Sequence, residues 1–285
     1  MRNILIPTDF SANAWNAISY ALAFFKEEVT TFYFLNTYTP PIYRVDYLMG
    51  GPAYSAIPDT GIDLSLSGLE ITLEKVKKEH PNTNHKYEIL SAFNTLTDEI
   101  NEVCSKKAID FVVMGTQGAT GAKEIFLGSN TVHVIRKATK PVLAVPSGYH
   151  FKKIKSVLFP TDYLSRYKEE EMERLIDILD RFKAKLIVLY VRQEGEELMS
   201  IQLGNEAYLI DHFKDQTTSF KTVKGVSMPN AIHDYVHMHH IDLLAMMNRK
   251  HTFLERLLLK QNVDTVGSHA QIPFLVIPDT AEISK

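Results

Sequence analysis

The sequence predicts an α/β protein of two tandem domains, each built on a parallel sheet with helices on both faces. Short apolar, β-branched runs alternate with segments of helical spacing, which is typical of parallel sheets buried on both faces. Three of those runs recur in the same order in the second half, which indicates a duplicated domain. At 285 residues, the chain has room for two domains of about 140 residues each.

Composition and charge are those of an ordinary globular chain. The net charge is −3 and no basic stripe occurs, so nothing favours nucleic acid or an acidic membrane surface as a partner. The single cysteine, Cys104, excludes an internal disulfide and fits a reducing cytoplasm; we expect it in a helix core. A strand begins almost at Met1, which leaves no room for a signal peptide, and no apolar run reaches the roughly 20 residues that span a bilayer. We therefore expect a soluble, cytoplasmic protein.

Five strands separated by helices are predicted for the first half. In chain order they are strand 3–6, helix 14–26, strand 31–35, helix 69–80, strand 86–90, helix 94–107, strand 111–114, helix 131–136 and strand 141–145. Ser11 or Asn13 could start the first helix, and prolines follow several of the strands and helices.

One long stretch, 36–67, shows no helical or strand periodicity and is rich in Pro, Gly and Tyr. A loop of this length inside a compact domain is usually functional or mobile. Tyr43, Tyr47 and Tyr54 could stack on a bound base, or they could pack the loop onto its own domain; both interpretations stay open.

The stretch that follows strand 111–114 favours an anion site. Gly115, Gly118 and Gly121 follow the strand, and Gly128-Ser129-Asn130 precedes the next helix. Glycines let backbone N–H groups approach a phosphate, and the positive end of a helix dipole attracts its charge. Ser129 could cap that helix or donate its hydroxyl to a phosphate oxygen. The loop alone also fits a tight turn with no ligand, and neither the P-loop nor the G-x-G-x-x-G pattern occurs.

The internal repeat shows where the two copies differ. Segments 157–162, 241–246 and 272–278 restate 4–9, 109–114 and 140–146, with a boundary near 147–150 that predicts domains 1–147 and 152–285. In the second copy the glycines are replaced: Met247 stands opposite Gly115, Lys250 opposite Gly118, and Lys260-Gln261 opposite Gly128-Ser129. Asp162 survives. Because these side chains are large, we expect them to keep a pyrophosphate away from the backbone.

With the loop and the repeat both in view, the chain resembles a tandem universal stress protein of the adenine-nucleotide-binding type. The family pattern G-x2-G-x9-G-[ST] is met by Gly115, Gly118, Gly128 and Ser129, and the element P-[TV]-D by Pro7-Thr8-Asp9. The match is specific in the first half, whereas only the framework matches in the second. The resemblance implies Rossmann-like (flavodoxin-like) domains with five parallel strands in the order 3-2-1-4-5. Ligands of such sheets bind at the switch point, here between the first and fourth strands.

The resemblance also implies what the first domain binds. ATP, with or without Mg²⁺, would lie at the switch point, its phosphates on the glycine loop, its adenosine near Asp9 and its adenine beside Asn36-Thr37. The predicted site residues are Pro7, Thr8, Asp9, Asn36, Thr37, Met114, Gly115, Gly118, Gly128, Ser129 and Asn130. Lys123 could contact a phosphate, although a solvated loop lysine is commoner. Asp9 could bind a metal or cap the following helix.

The expected function is that of a non-enzymatic, ATP-binding stress-response regulator. No base that could orient water stands near the glycine loop, so no catalytic residue is predicted and ATP hydrolysis would be slow at most. A weak ATPase and a non-nucleotide interaction scaffold are the alternatives. We expect ATP to order the loop and the 36–67 stretch, and a protein partner or the second domain to respond.

Family resemblance further implies an internal pseudo-dimer. The fifth strands, around Val142 and Phe274, would face each other as in a dimer of one-domain relatives. Whether two whole chains also form a homodimer stays open.

Three histidines of the second half form a candidate metal site. His233, His237 and His240 fall at i, i+4 and i+7 of a predicted helix, with Asp234 nearby. No cysteine accompanies them, so an exposed polar helix face is the preferred interpretation and no metal site is predicted.

Overall fold

Strands and helices alternate along both halves of the computed structural model, which describes residues 1–38, 60–116, 128–164, 166–192, 195, 197–248 and 272–279. The elements of the first half are β1 Arg2–Pro7, α1 Ala12–Phe24, β2 Thr30–Thr37, α2 Thr60–Glu79, β3 His85–Ala92, α3 Leu96–Lys106, β4 Phe111–Gly115, α4 Ser129–Lys137 and β5 Val142–Val145. Those of the second half are β6 Ser156–Thr161, α5 Glu169–Phe182, β7 Lys185–Arg192, α6 Ser200–His212, β8 Thr218–Lys224, α7 Met228–His239, β9 Leu243–Asn248 and β10 Phe274–Pro278. None of the helices in these ranges combines the length and apolar character needed to cross a membrane.

The strands form one sheet, in the order β3-β2-β1-β4-β5-β10-β9-β6-β7-β8. Within each half the strands are parallel and follow the predicted order 3-2-1-4-5. At the joint, β5 and β10 pair antiparallel, with Leu275 opposite Leu143. The predicted fold is confirmed, and the two parallel sheets join into a single mixed sheet.

Helices cover both faces of this sheet, and each core layer contains residues of both halves. Alternate residues of β1 face opposite sides, as the pleat of a strand requires, and Ile4, Leu5 and Ile6 are all fully buried. Helices α1, α2, α5 and α6 pack on the side of Ile4 and Ile6, whereas α3, α4 and α7 pack on the side of Leu5. The two halves therefore share their hydrophobic core as well as their sheet.

Local chemistry explains where several helices begin. Ser11 is the N-cap of α1, and its hydroxyl accepts a hydrogen bond from the Ala14 N–H at 3.2 Å, which decides between the two predicted caps. Thr95 caps α3 in the same way, so this helix begins at Leu96, two residues later than predicted. Cys104 lies in α3 and is buried, as expected for a core residue.

Helix α2 is where the sequence-based assignment is wrong. The stretch predicted to be irregular up to Ser67 is helical from Thr60, whereas 39–59, with its three tyrosines, lies outside the described residues. The extra turns contain Ser and Gly, which have weak helix propensity, so tertiary packing decides the conformation. Ser65 is buried and accepts a 2.7 Å hydrogen bond from the Ser91 hydroxyl. Gly68 lies against Phe10, where a Cβ would come within 2.5 Å of the ring.

Charged side chains also join the two halves, on the side of the sheet where α1 and α5 pack. Arg2 donates to Glu28 at 3.0 Å and forms an ion pair with Asp177 of α5. Arg181 of α5 pairs with Glu28 in turn, and its guanidinium lies 4.6 Å from the centre of the Phe24 ring. Because two arginines and two carboxylates alternate here, each charge is balanced where the two halves meet.

Candidate functional site

The turn after β1 places an acidic side chain at the carboxyl edge of the sheet. The Phe10 N–H donates to the Thr8 hydroxyl at 3.1 Å, and the Ser11 N–H donates to a carboxylate oxygen of Asp9 at 3.0 Å. Phe10 adopts a left-handed conformation with φ of 65°, so the chain reverses sharply into α1. Asp9 therefore stabilises the turn but does not cap the helix, because Ser11 is the N-cap.

Strand β2 ends next to this turn. The side-chain amide of Asn36 donates to the Thr8 carbonyl at 2.7 Å, and the Thr8 N–H donates to the Leu35 carbonyl at 2.8 Å. These bonds join the ends of β1 and β2, and they leave the side-chain oxygen of Asn36 available as an acceptor. Thr37 follows at the end of the strand and is partly exposed.

The opposite side of the site is the junction between β4 and α4. The Thr131 hydroxyl donates to the Gly115 carbonyl at 2.9 Å, which holds the first turn of α4 against the end of β4. The Gly128 N–H donates to the Thr116 carbonyl at 2.5 Å. Gly128 is the N-cap and Ser129 is the first helical residue, which excludes capping, one of the two roles left open for Ser129. A glycine cap has no side-chain oxygen for the N–H groups of the first turn, which have no intrahelical acceptor.

These elements enclose a cleft of about 430 Å³ between the ends of β1 and β4. It is lined by Pro7, Thr8, Asp9, Ala14, Asn36, Thr37, Leu96, Met114, Gly115, Gly128, Ser129, Asn130 and Thr131. The structure thus brings together every predicted site residue except Gly118, which lies outside the described residues with Gly121 and Lys123. The cleft also lies where the strand order reverses, between β1 and its neighbours β2 and β4.

Three lining residues were not predicted from the sequence: Ala14, Leu96 and Thr131. Ala14 and Leu96 lie in the first turns of α1 and α3, which start at the same carboxyl edge as the strands. Since every βα connection in a parallel sheet opens at this edge, the first turn of each helix was a usable signal. Thr131 follows the glycine motif by two residues, and only the structure reveals its bond to Gly115.

The chemistry of the cleft is that of an anion site made by main-chain groups. Among the lining residues that the structure describes there is no lysine or arginine, and Asp9 is the single carboxylate. The N-terminus of α4 supplies N–H donors and the positive end of its dipole. Leu96, Ala14 and Met114 provide an apolar wall. Such a site can hold a group with an anionic end and a flat or apolar end.

The corresponding edge of the second half keeps the turn, but the residue at the repeat position of Phe10 is buried instead of half exposed. The Tyr163 N–H donates to Thr161 at 2.9 Å and the Leu164 N–H to Asp162 at 3.0 Å, which repeats the turn after β1. Tyr163 is buried against Tyr190, however, with ring centroids 5.0 Å apart.

Two amide side chains of α6 stabilise this turn by hydrogen bonds to its carbonyls. Gln202 donates to the Asp162 carbonyl at 2.9 Å, and Asn205 donates to the Tyr163 carbonyl at 2.7 Å. The pairing of β6 with β9 follows that of β1 with β4, so Met247 occupies the position of Gly115. Lys250, Lys260 and Gln261 lie outside the described residues.

The three candidate histidines do not share one helix. His233 and His237 are in α7, with ring centroids 4.4 Å apart, but His240 is its left-handed C-cap residue. Across the described ranges, no group of three or more His, Cys, Asp or Glu residues is arranged to hold a metal ion.

The mixed ten-stranded sheet and the cleft at its switch point define an α/β protein of the flavodoxin-like class, present in two fused copies. The chain belongs to the universal stress protein family, whose model matches residues 1–146 and again 153–278.

Similar proteins support this assignment. Universal stress protein MJ0577 of Methanocaldococcus jannaschii is 30% identical over 159 residues, covering 50% of this chain and 94% of that protein. MJ0531 of the same organism is 35% identical over 146 residues, covering 50% and 81%. The crystal structure of a universal stress protein from Archaeoglobus fulgidus covers 97% of this chain and 98% of its own, with a TM-score of 0.71. Its sequence identity is 18%, so this likeness shows the fold alone.

Proposed function

We propose that the first half of this universal stress protein binds ATP in the cleft between β1 and β4 and acts as a non-enzymatic regulator. The observation that carries the proposal is the lining of the cleft. A glycine N-cap and the first turn of α4 lie on one side, and Asp9 and Asn36 lie on the other. Main-chain amides on one side and polar acceptors on the other suit the two ends of a nucleotide.

The phosphate end is assigned to α4. Ser129, Asn130 and Thr131 occupy its first three positions, where helix geometry leaves N–H groups without intrahelical partners. Gly128 carries no side chain that would compete for them, and the Ser129 hydroxyl is exposed as a further donor. Hydrogen bonds from such groups to an anion are charge-assisted and about twice as strong as neutral ones.

The nucleoside end is assigned to the ends of β1 and β2. The Asn36 side-chain oxygen can accept from an exocyclic amine or a ribose hydroxyl, and the Asp9 carboxylate can accept from a ribose hydroxyl. A cleft of about 430 Å³ lies within the range of small-molecule sites, which is roughly 300–1,000 Å³. Since no described lining residue is cationic, Mg²⁺ is a reasonable companion for the phosphate charge, with Asp9 as the nearby carboxylate.

The proposal assigns ATP to a first domain, 1–147, and none to a second domain, 152–285. The support is Met247, a buried side chain at the position of Gly115. A cytoplasmic location belongs to the same proposal, and the free, buried thiol of Cys104 is consistent with it.

Equilibrium dialysis against ATP, with and without Mg²⁺, tests the proposal. The parent chain should bind one ATP, and Gly128→Val should abolish binding, because its side chain would cover the α4 amides. Gly128 has a φ of −59° that valine can adopt, so the variant should fold. A matched control is Gly204→Val, since this exposed glycine of α6 has no atom within 4 Å of an added Cβ. If Gly128→Val bound ATP as tightly as the parent, the phosphate assignment would be wrong.

Phosphate release, measured in the same samples, separates a binder from a slow ATPase. The proposal predicts no steady turnover above that of Gly128→Val. Absence of ATP binding by the parent would instead favour the interaction-scaffold alternative.

A further inference from the structure

Helix α4 reaches from the cleft of the first half to a residue of the second half. Its N-terminal turn lines the cleft, whereas its last carbonyls accept hydrogen bonds from two asparagines. Asn248, the last residue of β9, donates from its side-chain amide to the Ile135 carbonyl at 2.8 Å and to Arg136 at 3.4 Å. Asn101 of α3 donates to the Lys137 carbonyl at 3.0 Å. One end of this nine-residue helix is thus held by the second half of the chain.

The topology explains why Asn248 meets this helix end. Because β5 and β10 pair antiparallel, the carboxyl edge of the second half coincides with the amino edge of the first. Helix α4 starts at the carboxyl edge of its own half and therefore ends beside the edge where β9 ends. Asn248 also occupies the repeat position of Thr116, whose carbonyl accepts the Gly128 N–H in the first copy. Thr116 thus supports the start of α4 through its carbonyl, and Asn248 supports the end of the same helix through its side chain.

We infer that Asn248 is a positioning residue for the nucleotide cleft, so that the second half supports binding in the first. This inference rests on the proposed function. Phosphate binding by main-chain amides requires that they be held in place before the ligand arrives, since any ordering on binding lowers affinity. Helix α4 is roughly 13 Å long, and an isolated helix of nine residues is not stable in water. Its order therefore depends on the contacts at its ends and along its buried face.

The ATP affinity of Asn248 variants tests whether this residue supports the cleft. Asn248→Ala should weaken ATP binding about fivefold to tenfold, the effect expected for the loss of one hydrogen bond that orders the site. Asn248→Asp should weaken it further, because a carboxylate would face the negative end of the α4 dipole. The matched control is Asn230→Ala, which removes the same side chain from an exposed position at the start of α7. It should leave the affinity unchanged.

Hydrogen exchange in the nucleotide-free protein separates a positioning role from local capping. The Val132 N–H donates to the Gly128 carbonyl at 3.0 Å, at the cleft end of α4 and about one turn before the Ile135 carbonyl that Asn248 contacts. In Asn248→Ala, exchange at Val132 should accelerate several-fold, while amides of β6 and β7 exchange as in the parent. Acceleration confined to the last turn of α4, or ATP affinity within twofold of the parent, would overturn the inference. If the parent bound no ATP, the proposed function would fail, and the Val132 exchange rate would still decide whether Asn248 orders the helix.

Discussion

The hydrogen bond between Thr131 and Gly115 offers the sharpest test of how the cleft is built. Thr131 is 2% exposed, and its hydroxyl donates to the Gly115 carbonyl at 2.9 Å. Thr131→Val keeps the shape of the side chain and removes the donor. The change loses a hydrogen bond of about 0.5–1.5 kcal/mol and leaves a carbonyl without that partner. Because Gly115 is only partly buried, water can replace some of the bond, so we expect a total loss near 1–2 kcal/mol.

The same change should affect ligand binding, since this bond connects β4 with the first turn of α4. We expect ATP affinity to fall about tenfold, equivalent to roughly 1.4 kcal/mol. Urea unfolding and equilibrium dialysis measure the two effects separately. Thr131→Ser retains the donor and should restore the affinity, although it loses some stability through the missing methyl group. If Thr131→Val lost stability but bound ATP like the parent, the bond would support the fold without shaping the site.

Three further outcomes are expected. The urea midpoint should decrease as pH falls from about 6.5 towards 5, because burial lowers the pKa of His85 and only the unfolded chain gains a proton there in that range. His85→Gln should reduce this slope. Arg181→Leu should lower the free energy of unfolding, measured by chemical denaturation, by about 2 kcal/mol, since it leaves Glu28 and Asp177 with Arg2 alone. Arg181→Lys should recover only part of this loss, because a lysine lacks the planar guanidinium. Cys104 should resist alkylation at pH 8 until urea unfolds the chain, because burial raises the pKa of its thiol to about 12; rapid labelling of the native protein would contradict its core position.

The sequence predicts the fold well because the signals are local and repeated. Buried strands such as β4 appear as continuous β-branched runs, and a run of this kind needs no knowledge of its neighbours. The strand order came from the family resemblance and agrees with the structure. Helix α2 shows the limit of local signals. Its first turns contain Ser65 and Gly68, whose helical conformation depends on Ser91 and on the ring of Phe10, both distant in sequence.

The candidate site also contains residues that the sequence identifies and residues that it does not. Residues with a chemical signature, such as the glycines and Asp9, could be named from the sequence. Leu96 and Ala14 have no such signature, and their places in the first turns of α3 and α1 were the signal that could have identified them. The hydrogen bonds that hold the site together could not be predicted from the sequence either. Asn36 to Thr8, Thr131 to Gly115 and Asn248 to Ile135 each join residues from different elements, and only the folded chain places them together.

The antiparallel joint between β5 and β10 has a consequence for how the two copies can change. In a twofold dimer of identical chains, every substitution occurs in both subunits, so the interface must accept the new residue at both symmetry-related positions. Here the joint lies within one polypeptide, and it is already unequal: Phe274 lies opposite Ala144, while Val276 lies opposite Val142. Dilution cannot separate the two halves, and a substitution in one half is not repeated at the equivalent position of the other. Covalent fusion thus lets one copy lose its glycines while the other keeps them.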